Sequence, residues 1–385
     1  MTQPRRKVVI LQHRLLHYRL RLFEQLRAAC AQRSIDLELV HGQASPREAI
    51  KRDEGSLPWA TRVHNRYLAV GARDLLWQPF PEQHRDADIV VMIQENRIVS
   101  NYALLLSRLW NPRPLAYWGH GRNFQSEAPA GIRERWKAFL LRQVDWWFTY
   151  TDLSVRVIEE AGFPLARITS LENAIDTAGF TTDLENCTPE EIEAERLDLG
   201  IPACAPVGLF CGSLYPEKKL DLMVKAADRI RDTLPEFHLL VIGDGPSAAE
   251  MRDAARTRPW LHMRGIRKGR DKARLFRLAQ VMFNPGLVGL HIVDAFCAGL
   301  IMATTSTARH SPEIAYLRDG VNGVIAQGDD PRQYAEAVLD ILTAPDRLAT
   351  MRAASLRDSQ RYTLDNMVLR FVDGIEQALG SGRLH

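Results

Sequence analysis

Apolar positions in this chain fall in short unbroken runs, separated by longer stretches with helical spacing. That is the signature of strands buried on both faces of a parallel sheet. In the first half, residues 7–12 (KVVILQ), 37–41, 89–94, 114–118 and 146–150 read as strands, with helical patterns over 18–32 and 132–144. Around 177–206 the pattern weakens into a polar, acidic stretch, which predicts a linker. A second series follows, with strands at 207–211, 237–242, 261–263, 281–284 and 301–304. Helical patterns at 221–233, 247–257, 272–279 and 289–298 alternate with them, and 331–343, 347–359 and 364–379 complete the series. The alternation predicts an α/β protein of two doubly wound domains, with ligand crevices at the carboxyl ends of their strands.

Composition adds a few limits. A chain of 385 residues exceeds one ordinary core, so two domains are expected. Five cysteines form no CxxC pair and are odd in number, which argues against a disulfide framework or zinc ribbon and for a reduced, cytoplasmic setting. The apolar run behind the basic start, 8–11, is too short for a signal peptide. No stretch approaches the roughly 18–20 apolar residues that cross a bilayer. Charge is uneven: residues 1–150 hold 23 Lys and Arg against 14 Asp and Glu, or +9, leaving −6 for the rest of a chain whose net is +3. A basic first half suits an anionic acceptor or the inner membrane surface, and equally a scatter of solvated arginines. The stretch 133–148 combines Arg133, Arg135, Lys137 and Arg142 with Trp136, Phe139, Trp146 and Trp147. Such a helix packs its aromatic face on a sheet or lies in a membrane interface. Nucleic acid is not expected, because aromatic and basic residues do not interleave along a strand.

Two segments carry the chemistry. In Pro285-Gly-Leu-Val-Gly-Leu-His-Ile-Val-Asp294 a strand runs through a glycine-bearing turn into a helix. Gly286 and Gly289 allow close backbone approach, free amides at Val288, Gly289 and Leu290 would meet an anion, and Leu287 between them would line the donor site. Asp294 suits a ribose diol. The second segment, Gly212-Ser213-Leu-Tyr-Pro-Glu-Lys218-Lys219, again follows a strand and presents a hydroxyl and two ammonium groups to a diphosphate. The bland readings are a strand–turn–helix junction and a pair of surface lysines.

Taken in order along the chain, these segments resemble the family 4 retaining glycosyltransferases (glycosyl transferases group 1) of the GT-B fold. Glu172-Asn-Ala-Ile-Asp176, Gly212…Lys218, Val241–Pro246 with Gly243, Met263-Arg264-Gly265, Pro285–Gly299, His310–Ile314 and Gly320–Gly323 match family pieces in sequence. The resemblance implies Rossmann-like domains at 1–180 and 205–360 facing a cleft, a linker at 181–204, and a helix over 361–385 crossing back to the first domain. It implies a nucleotide-diphosphate sugar as donor and a glycan or lipid-linked acceptor, with no metal and no further cofactor. The diphosphate would meet Lys218, helped by Lys219, and the base would lie near Arg264, Gly265 and Ile266. Lys218, Asp294 and His120, in a Trp-x-His-Gly turn, would be the catalytic set. Arg14, Arg19, Glu95 and Asn96 are acceptor-side candidates at strand ends. Gly286 stands where the family usually has glutamate, and Ser213 where it has arginine. A binding protein of the same shape without turnover, and a sugar-nucleotide epimerase, are the alternatives. A nicotinamide dehydrogenase is disfavoured, since Gln12-His13-Arg14 replaces any GxGxxG after the first strand.

Overall fold

The computed structural model describes residues 5–49, 53–71, 73–121 and 139–381. Residues 132–138 of the expected aromatic helix, with Arg133, Arg135, Trp136 and Lys137, lie outside the described residues. The chain divides into two compact units, residues 1–176 with 364–385, and residues 177–363.

The first unit begins with β1 (Arg6–Gln12), α1 (Leu20–Gln32), β2 (Ile35–His41) and β3 (Thr61–Arg62). A two-stranded antiparallel hairpin, β4 (Arg66–Val70) and β5 (Arg73–Trp77), follows. Then come β6 (Ile89–Ile93), α2 (Val99–Ser107), β7 (Leu115–Gly119), β8 (Trp146–Thr149), α3 (Asp152–Glu160) and β9 (Ile168–Ser170). The main sheet runs β3-β2-β1-β6-β7-β8-β9, all parallel. Val8, Val9, Ile10 and Leu11 of β1 are all buried, as expected of a strand with both faces covered. The hairpin and the two helices α2 and α3 were not legible in the apolar pattern.

In the second unit, α4 (Ala178–Asn186) and α5 (Pro189–Asp198) precede β10 (Val207–Cys211), α6 (Leu220–Thr233), β11 (His238–Ile242), α7 (Ala248–Arg256) and β12 (Leu261–Gly265). Next are α8 (Gly269–Leu278), β13 (Val281–Phe283), α9 (His291–Cys297), β14 (Ile301–Thr305), β15 (Gly323–Ala326), α10 (Pro331–Leu342) and α11 (Pro345–Arg361). Strand order is β12-β11-β10-β13-β14-β15, again parallel. Numbered within the unit this is 3-2-1-4-5-6, the Rossmann order, whose reversal falls between β10 and β13.

The expected linker at 181–204 is instead mostly helix. Thr188 caps α5 by accepting from the Glu191 amide, while the Glu191 carboxylate accepts from the Thr188 amide and Pro189 opens the helix. Acidic composition hid a capped helix whose outer face is solvated.

The last helix, α12 (Leu364–Ser381), packs in the first unit. Phe371 meets Trp118 edge-on at 5.0 Å and Phe148 at 4.6 Å between ring centroids. Gly374 makes this approach possible, because a β-carbon there would stand 2.4 Å from Thr169 Oγ1 and 2.7 Å from the Phe148 ring. Helix propensity favours alanine over glycine by up to about 1 kcal/mol. Overpacking costs about 1–3 kcal/mol and dominates here. Gly374→Ala is expected to lower stability by about 1–2 kcal/mol in urea unfolding; a gain in stability would show that α12 does not pack closely on β8 and β9.

Candidate functional site

In an open parallel sheet, ligands settle beyond the carboxyl ends of the strands where strand order reverses. In the second unit those ends belong to β10 and β13, and the loops leaving them are 212–219 and 284–290. These are the two segments singled out in the sequence.

The loops are clasped together. The Leu287 amide donates to the Glu217 carbonyl at 3.0 Å, and Lys218 Nζ donates to the Leu287 carbonyl at 2.5 Å. Gly286 sits between them: a β-carbon there would lie 2.1 Å from Glu217 O and 2.5 Å from Lys218 Cα, both backbone atoms. Glycine at this position is therefore a packing requirement of the clasp, and the glutamate usual in the resembled family has no room in this arrangement.

The carbonyls of the 285–287 loop are drawn inward. Thr305 Oγ1 donates to Pro285 O at 2.7 Å, while Asn284 Nδ2 donates to Gly286 O at 3.2 Å and Leu287 O at 3.0 Å. Tyr334 anchors the base of the loop, accepting from the Asn284 amide and donating to Ala303 O. His310 completes the frame. Its Nδ1 accepts from the Val288 amide at 3.1 Å, and its Nε2 donates to Thr305 O at 2.9 Å. That bonding fixes the neutral tautomer, in line with a pKa held below the usual value, first by burial.

Several expectations change here. Val288 does not offer a free amide, since it donates to His310 as Leu287 does to Glu217, and α9 starts only at His291. Gly289 and Leu290 are partly exposed, and their amides donate to no acceptor among the described residues. Lys219 does not assist Lys218. It adopts a left-handed backbone (φ 52°), which turns its side chain to Asp329 and to Thr307 Oγ1 at 3.0 Å. Asp294 is likewise engaged, through Oδ2 to Lys272 Nζ at 2.8 Å. Arg264 turns onto α5, where it meets Glu195 at 3.1 Å and Asp198 at 3.7 Å, leaving the exposed Gly265 and Ile266 at the strand end. Ser213 is exposed at the loop's outer edge.

Glycines hold the strand ends level. The Gly212 amide donates to Ile242 O at 3.0 Å and the Gly243 amide to Gly265 O at 2.9 Å. Gly243 has φ 143°, and a β-carbon there would lie 1.9 Å from Gly212 O. Lys218 is partly buried beside these strand ends. Burial pushes its ammonium down from 10.5 to about 8. A shift of that size costs roughly 3 kcal/mol at neutral pH, which an anionic ligand would recover. Nearby Cys211 is pushed up to about 12 by burial, so it is an unreactive thiol.

The first-unit candidates are less open than their sequence positions suggest. Arg14 pairs with Asp53 at 2.6 Å and approaches Glu48 at 3.8 Å. Arg97 bridges Glu95 at 2.6 Å and Glu48 at 2.8 Å. Arg14, Arg97, Glu48, Glu95 and Asp53 thus form an ionic network at the ends of β1 and β6 that neutralises its own cations. Arg19 is buried and donates to Asn173 Oδ1 at 2.7 Å, with its guanidinium 5.6 Å from the Trp118 ring. It is part of the core. Asn96 lies beside the network, its carbonyl accepting from Tyr102 Oη at 3.3 Å. The His120 ring lies tilted against Tyr150 at 4.3 Å between centroids, and burial, with repulsion from Arg19, lowers its pKa to about 4 against the opposing pull of Glu95. It is a neutral imidazole at physiological pH.

Among the described residues no three His, Cys, Asp or Glu side chains gather as a metal-holding group, and no helix is long and apolar enough to cross a membrane. Asn284, Thr305 and Tyr334, which build the loop frame with His310, were not singled out in the sequence. The His310-Ser-Pro-Glu segment was the one available signal. Gly286→Ala is expected to lower the melting temperature, with a cost of about 1–3 kcal/mol. A variant as stable as the parent would mean that the two loops are not clasped.

Comparison with known proteins bears on the fold and the family. Residues 205–344 match the family Glycosyl transferases group 1. A D-inositol 3-phosphate glycosyltransferase of Thermobispora bispora is 29% identical over 209 residues, 50% of this chain and 47% of that protein. One from Stackebrandtia nassauensis is 28% identical over 52% of this chain and 49% of its own. The chain thus spans about half the length of the curated relatives it matches. Among solved structures, Anabaena HepE in complex with UDP has a TM-score of 0.67 at 14% identity, covering 96% of this chain and 99% of that one. The sucrose-phosphate synthase of Thermosynechococcus elongatus has a TM-score of 0.65 at 14% identity, covering 98% of this chain and 100% of that one. Likeness at that identity establishes the fold. The chain therefore has the GT-B fold, two Rossmann-like domains in succession, and its second unit carries a domain of the group 1 glycosyltransferases.

Proposed function

We propose that this chain is a glycosyltransferase that moves a sugar from a nucleotide-diphosphate donor to a glycan or lipid-linked acceptor with retention of configuration. The observation that carries the reading is Lys218, an ammonium partly buried between two clasped loops at the point where strand order reverses. The nucleoside diphosphate held by HepE in its solved complex supports a donor of that class.

In this reading the diphosphate takes Lys218 Nζ away from the Leu287 carbonyl and meets the amides of Gly289 and Leu290. The base lies beyond Gly265 and Ile266, and the ribose lies toward Asp294. As the bond between sugar and phosphate breaks, negative charge grows on the leaving oxygen, and fixed donors already in place stabilise it without reorganising. No strong general base is needed: the leaving phosphate accepts the proton of the acceptor hydroxyl as the new bond forms on the same face. The first unit supplies the acceptor side, with His120 as a neutral hydrogen-bonding group. Its basic excess favours an anionic acceptor or an anionic membrane surface at the cytoplasmic face. The reaction as proposed uses no metal and no further cofactor.

A panel of UDP-, GDP-, ADP- and dTDP-sugars in a thermal-shift assay, followed by transfer or hydrolysis assays, tests the class. A ligand at a hundred times its Kd stabilises by about 2.7 kcal/mol. Lys218→Met is expected to lower turnover about a hundredfold. An anion beside Lys218 raises its pKa, so binding takes up a proton near pH 8. Affinity is therefore expected to be greatest below about pH 8 and to fall as pH rises above it, a dependence that Lys218→Met should abolish. His120, neutral above about pH 5, should contribute no inflection near 6.5. Wild-type activity in the Lys218→Met variant would remove this lysine from the mechanism.

A further inference from the structure

The nucleotide site contains a charged residue that the sequence reading passed over. Lys272 reaches from α8 to Asp294 on α9, with Nζ 2.8 Å from Oδ2, and both side chains are less than a fifth exposed. The ammonium lies 4.1 Å from the centre of the Phe180 ring and 5.1 Å from that of Phe276. Aromatic faces on one side and a carboxylate on the other leave it little freedom. Cys211, at the carboxyl end of β10, feels the charges of Lys272, Asp294 and Lys218 together, and His291 feels both lysines. The pair therefore stands at the same strand end as the clasp.

A single withdrawn ion pair is a poor source of stability, since apolar residues of equal volume usually do as well or better. Its geometry is more informative. Lys272 occupies one carboxylate oxygen, while Oδ1 accepts no hydrogen bond among the described residues. A carboxylate one methylene shorter than glutamate cannot search for its ligand by rotating a long side chain; it must be aimed.

We propose that Lys272 is a positioning residue of the nucleotide site, holding Asp294 by Oδ2 so that Oδ1 accepts from a ribose hydroxyl. The inference rests on the donor reading given above. Lys272 does not touch the reacting atoms. It sets how strongly the site distinguishes ribose from deoxyribose.

The test measures Kd by calorimetry for UDP, GDP and ADP, each beside its 2′-deoxy counterpart. The wild-type protein is expected to bind one ribonucleotide at least tenfold more tightly than its deoxy form, as befits a hydrogen bond to a charged group. Lys272→Met should reduce that ratio to within twofold, and Lys272→Arg should restore most of it. Because Lys272→Met leaves Asp294 unpaired, the double variant Lys272→Met with Asp294→Asn, which buries no lone charge, is measured in parallel and should also lose the preference. A full ribose preference in either methionine variant overturns the proposal for Lys272 and leaves the donor site standing. Failure of the wild-type protein to bind any of the three ribonucleotides overturns the donor reading and this inference with it.

Discussion

An ammonium group withdrawn from water needs an anion, and where none is present the protein must supply the best substitute available. Lys218 has the Leu287 carbonyl, a dipole in place of a charge, and burial holds its pKa down. The rest of the second unit is arranged around that compromise. Gly286 lets the two loops touch through their backbones, Asn284 and Thr305 draw the loop carbonyls inward, and His310 pins the Val288 amide. What remains unsatisfied on the outer side is a pair of amides, at Gly289 and Leu290. Both amides are partly exposed, and a helix-start amide of this kind suits negative charge.

The fold was largely legible because parallel sheets write themselves in continuous apolar runs. The five strands expected in the second unit all appear, within a few residues of their expected ends. The short elements were harder to read. Strand β15 is buried but only four residues long, too short a run to stand out, and the hairpin β4–β5 exposes Leu68 and Val70. Residues 181–204 failed for a different reason: their acidic composition suggested a linker, although Thr188-Pro-Glu-Glu191 contains a complete helix start.

The site was legible as loops and much less so as side chains. Strand-end position and glycine spacing located both halves of the clasp. Partner choice depends on contacts far apart in sequence, which no local pattern reveals. Two adjacent lysines illustrate this, because a left-handed backbone at Lys219 sends it to Asp329 while Lys218 goes to Leu287. In the first unit, Arg14 and Arg19 sit at a strand end that invited an anion-binding reading. Glu48 and Asp53 already neutralise Arg14, and Arg19 is held in the core by Asn173. Net basic charge over a region does not say which of its cations are available.

The central claim is that Lys218 exchanges a carbonyl for a phosphate. A crystal structure of the protein with the nucleoside diphosphate it binds tests this most directly. The account requires phosphate oxygens within hydrogen-bonding distance of Lys218 Nζ and of the Gly289 and Leu290 amides, with Nζ released from Leu287. A bound diphosphate elsewhere, with Lys218 still on the Leu287 carbonyl, would contradict it.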